Sequence, residues 1–248
     1  MVNLRELESQ GKLIKTVNRM GHSIADLTDF SKSFIEFSGT CIAPVLDIGA
    51  AFGVASIPAL EAGATVIAND MAQEHLTAIK ERTPQKHQNR LQLRCAKIPY
   101  GLDFPAESLG AIHASQVLHF LTGSEIAQSF DNFYRWLVPG GKVFIIASSP
   151  YINILKAFLP EYEKKKQSGT PWPGEIENLS LHTTHAVVAD NPPFFNFLDT
   201  DVLSQALIER GFKIEKSLLF DRGTNLPDHI KLDGRENVGI IAQKPIAL

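Results

Sequence analysis

Short apolar runs alternate along the chain with stretches in which apolar side chains recur every three to four positions. VLDI (45–48) precedes a helical pattern over 53–62, TVIAND (65–70) precedes another over 72–82, and LQLRCA (91–96) and LGAIHAS (109–115) follow. A helical pattern over 124–137 then ends at Pro139-Gly140-Gly141, and KVFIIA (142–147) is apolar on both faces, as a strand covered on both sides must be. Gly63 stands where a helix C-terminus takes a left-handed residue, and Pro84 stops the helix before it. Strands separated by helices predict a parallel sheet with right-handed crossovers. After Ser149 the rhythm breaks for about fifty residues rich in proline and aromatics, and a segment of that length reads as an insertion or lid. The pattern resumes with Thr200 as a possible N-cap, Leu203, Ala206 and Leu207 on one helix face, and Gly211 at its end. FKIEKSLLF (212–220) and VGIIAQ (238–243) close a seven-stranded set. The predicted organisation is a helical cap over 1–40 and one domain over 41–248 that carries the lid at 150–198.

Composition narrows the function. With 24 Lys+Arg against 27 Asp+Glu and no basic run longer than Lys164-Lys165-Lys166, the chain lacks a footprint for a phosphate backbone, so nucleic acid is not expected as a partner. No apolar run approaches the roughly 18–20 residues that cross a bilayer, so a membrane partner is not expected either. Cys41 and Cys95 have no metal-ligand spacing, and MVNLRELESQGKLIK has no signal-like apolar stretch. The expectation is a reduced, cytoplasmic protein, its oligomeric state left open.

The informative stretch is Asp47-Ile48-Gly49-Ala50-Ala51-Phe52-Gly53, between the first strand of the sheet and its helix. Ligands of open α/β sheets bind beyond the carboxyl ends of the strands, where Gly49 and Gly53 let the backbone come close. Asp70, seventeen residues past Gly53, ends the next strand, where a carboxylate accepts from both hydroxyls of a ribose. Order and spacing together indicate a nucleoside ligand. Asp47 would repel a pyrophosphate and attract an ammonium, which favours a nucleoside with an amino-acid tail.

At this point the sequence resembles the class I S-adenosylmethionine-dependent methyltransferases, in which an acid and a glycine turn are followed by a second acid at the next strand's end. FPAESLGAIHASQVLHFL (104–121) and WLVPGGKVFI (136–145) resemble that family's fourth strand and its turn into the fifth. The resemblance implies an α/β fold, a doubly wound, mostly parallel seven-stranded Rossmann-like sheet with helices on both faces and a lid insertion after the fifth strand. It implies S-adenosylmethionine as cofactor, S-adenosylhomocysteine as product, and no resident metal. It places Asp47 near the donor's amino group, with Gly49, Ala50 and Gly53 lining the tail, Asp70 on the ribose, and Met71, Ala96 and Gln116 completing the pocket. Ala51 stands where the middle glycine is usual, and Cys95 where an acid often meets adenine, which leaves adenine to backbone groups or to Asp103.

A second reading stays open. GAAFGVA (49–55) also resembles the turn of short-chain dehydrogenases, and Tyr162, Lys166 and Ser149 have the spacing of their catalytic set. In that chemistry a lysine lowers the tyrosine pKa for acid–base work on a carbonyl, with a nicotinamide as hydride carrier. Against it, Asp47 precedes the turn and Ala55 replaces the third glycine.

For the acceptor, methyl transfer from a sulfonium is chiefly a matter of positioning, and a base is needed only for a hydroxyl or a protonated amine. His119, three residues after Gln116, is the candidate catalytic base. Tyr151, Trp172, Phe194, Phe195 and Phe197 are read as walls of an acceptor pocket, with His182 and His185 beside them, although a metal reading of the two histidines lacks a full ligand set. The expected acceptor is a small, partly hydrophobic molecule, and a protein-modifying methyltransferase is the alternative. Asp70→Ala is expected to abolish donor binding and leave the fold intact, a strand-tip carboxylate lying outside the core.

Overall fold

A computed structural model describes residues 14–16, 22–23, 26–185, 191–221, 223, 228 and 230–246. Strands β1 (Ile14–Lys15) and β2 (His22–Ser23) pair with each other, and α1 (Asp29–Ser38) follows, N-capped by Thr28. The predicted helical cap over 1–40 is therefore one helix preceded by a short strand pair; the rest of that prediction lies outside the described residues. The sheet begins with β3 (Val45–Ile48), α2 (Ser56–Glu61), β4 (Val66–Asp70) and α3 (Gln73–Arg82). It continues through β5 (Leu91–Cys95), β6 (Leu109–Ser115), α4 (Gly123–Trp136) and β7 (Leu137–Ser148). The later elements are α5 (Leu159–Gln167), β8 (Glu175–Ile176), β9 (Phe195–Asn196), α6 (Thr200–Ile208), β10 (Lys213–Phe220) and β11 (Asn237–Gln243).

The large sheet has the order β10-β11-β7-β6-β3-β4-β5, with β3 to β7 mutually parallel and β11 antiparallel to both its neighbours. This is the doubly wound, mostly parallel sheet that the alternation predicts. Leu46, Ile48, Ile112 and Ala114 bury one face under α4 and α6, whose Phe130, Phe133, Trp136, Leu203 and Leu207 meet them. Val45, Val66, Ala111 and Phe144 bury the other under α1 and α2, against Phe30, Phe34, Ala59 and Leu60. The β3–β6 junction is where the order reverses, so its carboxyl end opens the crevice in which such sheets bind ligands.

Two boundaries differ from the sequence reading. Thr200 is the first residue of α6, and the cap is Asp199, whose carboxylate accepts from the Asp201 and Val202 amides. Strand β7 starts at Leu137 and runs through Pro139-Gly140-Gly141, because Gly140 N–H donates to Lys244 and Lys244 N–H to Gly141.

Among its described residues, the segment over 150–198, read from the sequence as an insertion, has a core of its own. Tyr151, Ile152, Leu155, Phe158, Tyr162, Ile176, Leu179, Phe195 and Phe197 pack together, with Leu219, Ile230 and Leu232 against them. Helix α5 and the β8–β9 pair supply that core, and β9 lies against the 3-10 turn over 118–120.

Candidate active site

Beyond the carboxyl ends of β3, β4 and β6 lies a cavity of about 310 Å³, within the span of small-molecule sites, whose lining includes Asp47, Gly49, Asp70, Met71, Ala96 and Gln116. The turn after β3 explains its glycine. Gly49 has φ +65°, and a Cβ there would lie 2.3 Å from Cγ2 of Val117, so neither the backbone nor the space admits a side chain. Ala51 also takes a positive φ, +43°, where an alanine costs about 1–2 kcal/mol. Its amide donates to Oδ2 of Asp70 at 3.0 Å, which holds the turn in that strained conformation.

Asp70 is buried and works hard within the fold. Besides the Ala51 amide it accepts from the Ala72 amide at 2.9 Å, at the start of α3, and Nδ1 of the buried His75 lies 3.0 Å from Oδ1. The premise that Asp70 lies outside the core therefore fails: this carboxylate ties the glycine turn to the next helix, and Asp70→Ala is expected to cost stability.

Asp47 is equally buried. Its Oδ2 accepts from the Ser56 hydroxyl at 2.5 Å, and Nδ1 of His113 lies 2.7 Å from its Oδ1. Asp47 and His113 are register partners on β3 and β6. The carboxylates along the described lining are Asp26, Asp47 and Asp70, against the single ammonium of Lys97, an excess that suits a cationic ligand. Gln116 sits at φ +58°, its carboxamide held between the Ser148 hydroxyl (3.1 Å) and the Asn237 side chain (2.9 Å).

Of the residues singled out in the sequence, Asp47, Gly49, Ala50, Asp70, Met71, Ala96 and Gln116 line this cavity. Gly53 does not; it sits behind the turn, where a Cβ would press on Ile79 and Ile57. Asp103 is exposed on the surface, ion-paired with Arg135 and away from the lining. His119 is not the base that its position in the chain suggested. The 3-10 turn over 118–120 carries its ring away from the cavity, where it stacks on Phe195 with the planes 1° apart. Its Nδ1 accepts from the Ser148 amide at 3.4 Å, and burial lowers its pKa to about 3, so the ring is neutral.

The acceptor-wall reading of the insertion also fails, because Tyr151 and Phe195 belong to the insertion's own core and neither lines the cavity. Phe197 joins the same core. Trp172 packs against α4, its ring filling the space that a side chain at Gly123 would need. His182 lies edge-on to Phe158, and the His185 amide donates to the Thr183 hydroxyl, both outside the cavity. Among the described residues no group of three His, Cys, Asp or Glu could hold a metal ion. Sequence reasoning missed Ser31, His75 and His113 in the lining. The signal for His113 was present but unusable without register: a histidine inside a strand, opposite the aspartate of the neighbouring one.

The reductase set does not assemble on the turn. Tyr162 is fully buried in the insertion, and burial drives its pKa upward. Lys166 is paired with Asp199 and Asp201, and Ser149 donates to the Arg235 carbonyl. None of the three lines the cavity.

Residues 45–141 match the model of a family described as methyltransferase domain. No curated protein matches the sequence. Among solved structures, an S-adenosylmethionine-dependent methyltransferase from Methanosarcina mazei is 16% identical, with a TM-score of 0.64 over 90% of this chain and 100% of that one. One from Mesorhizobium loti is 18% identical, with a TM-score of 0.58 over 84% and 92%. The 1,6-didemethyltoxoflavin-N1-methyltransferase of Burkholderia thailandensis, solved with 1,6-didemethyltoxoflavin and S-adenosylhomocysteine, is 16% identical, with a TM-score of 0.58 over 87% and 76%. The fold is that of the class I S-adenosylmethionine-dependent methyltransferases. No described helix is long and apolar enough to cross a membrane.

Proposed function

We propose that the protein transfers a methyl group from S-adenosylmethionine to a small, partly hydrophobic acceptor. The observation that carries this reading is the pair of buried carboxylates, Asp47 and Asp70, at the ends of adjacent strands on either side of a glycine turn, both lining one cavity. Such an arrangement suits a cationic nucleoside with an amino-acid tail. Similar structures solved with S-adenosylmethionine or S-adenosylhomocysteine support the choice of donor.

Asp70 would hold the ribose hydroxyls with the lone pairs that its backbone donors leave free, a carboxylate offering about four acceptor sites. Met71 and Ala96 would flank the base, Asp47 would face the amino group, and Gly49 and Ala50 would line the tail. Gly53 supports the turn from behind rather than touching the donor. When bound, the donor supplies an already activated methyl group, so the protein's main task is to place the acceptor and keep water out. Gln116, pinned by Ser148 and Asn237, and the apolar Leu27, Phe120 and Leu121 are the residues we assign to the acceptor side. Holding reactants in a near-attack arrangement supplies about 7–11 kcal/mol of barrier lowering without a dedicated base.

The apolar side chains of Leu27, Phe120 and Leu121 beside Gln116 favour a small, partly hydrophobic acceptor over a polypeptide. A transfer assay with methyl-labelled S-adenosylmethionine and cell extract separates these outcomes. Label in the low-molecular-weight fraction is expected, and label confined to protein would replace the small acceptor with a polypeptide.

A further inference from the structure

Five polar side chains from four elements form one buried chain of contacts beneath the cavity. The Ser56 hydroxyl donates to Asp47, Nδ1 of His113 meets the other oxygen of that carboxylate, and Nε2 of His113 lies 3.0 Å from the Ser31 hydroxyl. Ser31 in turn lies 3.2 Å from the hydroxyl of Thr28, the N-cap of α1. The His113 ring is clamped by Phe34, with centroids 4.7 Å apart and planes at 16°. Thr28 caps α1 and Ser31 lies in it, while Asp47 belongs to β3, Ser56 to α2 and His113 to β6. Asp47, Ser31 and His113 all line the cavity.

A buried carboxylate is costly unless hydrogen-bonded, and it aims its charge well only when its rotamer is fixed. With Nδ1–H given to Asp47, Nε2 is left to share a hydrogen bond with the Ser31 hydroxyl. The two contacts fix the ring plane, as a histidine held by an outer partner orients what it touches. Two donors on Asp47 leave lone pairs on both oxygens for a further donor.

We propose that His113 is a positioning residue for the donor's amino-acid tail: its Nδ1–H fixes the Asp47 carboxylate toward the ammonium group, and Ser31 and Phe34 of α1 hold the ring in place. The inference rests on the reading that Asp47 faces the donor's amino group. It assigns to α1 a share in donor recognition through a strand histidine that the sequence pattern did not mark.

The test compares S-adenosylhomocysteine, which carries the tail, with 5′-methylthioadenosine, which lacks it, by titration calorimetry on three proteins. Asparagine at this position places its amide nitrogen where Nδ1 stands, whereas leucine offers no donor. His113→Leu is expected to weaken S-adenosylhomocysteine about tenfold to a hundredfold, the span of one hydrogen bond to a charged group, while 5′-methylthioadenosine stays within about threefold of wild type. His113→Asn is expected to restore S-adenosylhomocysteine to within about threefold of wild type. If His113→Leu does not fold, His113→Gln, which places its amide near the Nε2 position, is expected to show the same tail-specific loss. Equal weakening of both ligands would assign His113 a structural role only, and unchanged affinity for both would remove it from donor recognition; either result overturns the proposal. Wild-type protein that binds neither ligand would instead overturn the donor reading itself.

Discussion

Replacing Asp70 with alanine strips the acceptor from two backbone amides at once. The Ala51 amide, 3.0 Å from Oδ2, and the Ala72 amide, 2.9 Å from Oδ1, both lose a charged partner within the fold. A hydrogen bond to a charged group contributes about 1.5–3 kcal/mol, so the two together amount to about 3–6 kcal/mol, and sharing one carboxylate makes the sum an upper bound. The left-handed backbone of Ala51 adds to this, since its amide loses the contact that holds the strained turn. Against a total stability of about 5–15 kcal/mol, such a loss moves the unfolding midpoint far. Urea unfolding followed by the fluorescence of Trp136 and Trp172 reads it directly, with Asp70→Asn as a companion that keeps one acceptor oxygen and loses less. A loss below about 1 kcal/mol in Asp70→Ala would refute the view that this residue ties the turn to α3, and would return Asp70 to a purely ligand-binding role.

The folded pKa of His119, about 3, lies below its unfolded value of about 6.5, so folding favours the neutral ring and stability falls as pH drops below that unfolded value. The slope it contributes approaches about 1.4 kcal/mol per pH unit, and denaturation of His119→Phe between pH 7 and 5 should lack it; an unchanged slope would contradict the burial argument. Ala51→Gly should leave stability unchanged or raise it by up to about 1 kcal/mol, because relief at φ +43° outweighs the about 0.5–1 kcal/mol that glycine ordinarily costs; a clear loss on thermal melting would contradict the strain. Lys166→Met should lower stability, because it leaves the buried Asp199 without its cation, and should leave S-adenosylhomocysteine affinity unchanged; loss of affinity without loss of stability would contradict the placement of Lys166 outside the donor site.

Much of the fold was legible because burial on both faces makes β3, β4, β6 and β7 apolar runs that no surface strand shows. The glycine turn was legible for a related reason, since Gly49 has no room for a side chain beside Val117. What stayed hidden depends on partners far away in the chain. The start of β7 passes through Pro139-Gly140-Gly141, a turn signature overridden by pairing with Lys244. The insertion's aromatics carry no period because they converge on one another from short turns, so their sequence could not separate a pocket wall from a core. His119 misled because its neighbours Phe120 and Leu121 do line the cavity, and a single 3-10 turn decides which way each ring faces. His113 was missed for the opposite reason: its meaning comes from Asp47 across the β3–β6 register.

The proposed ligand of the cavity lined by the two buried carboxylates is a nucleoside with an amino-acid tail. Titration calorimetry of the purified protein with S-adenosylmethionine, S-adenosylhomocysteine and the reduced nicotinamide dinucleotides tests it most directly. Saturable one-to-one binding of the first two, with none of the nicotinamides, is the predicted result; binding of a nicotinamide dinucleotide and neither adenosyl compound would contradict it.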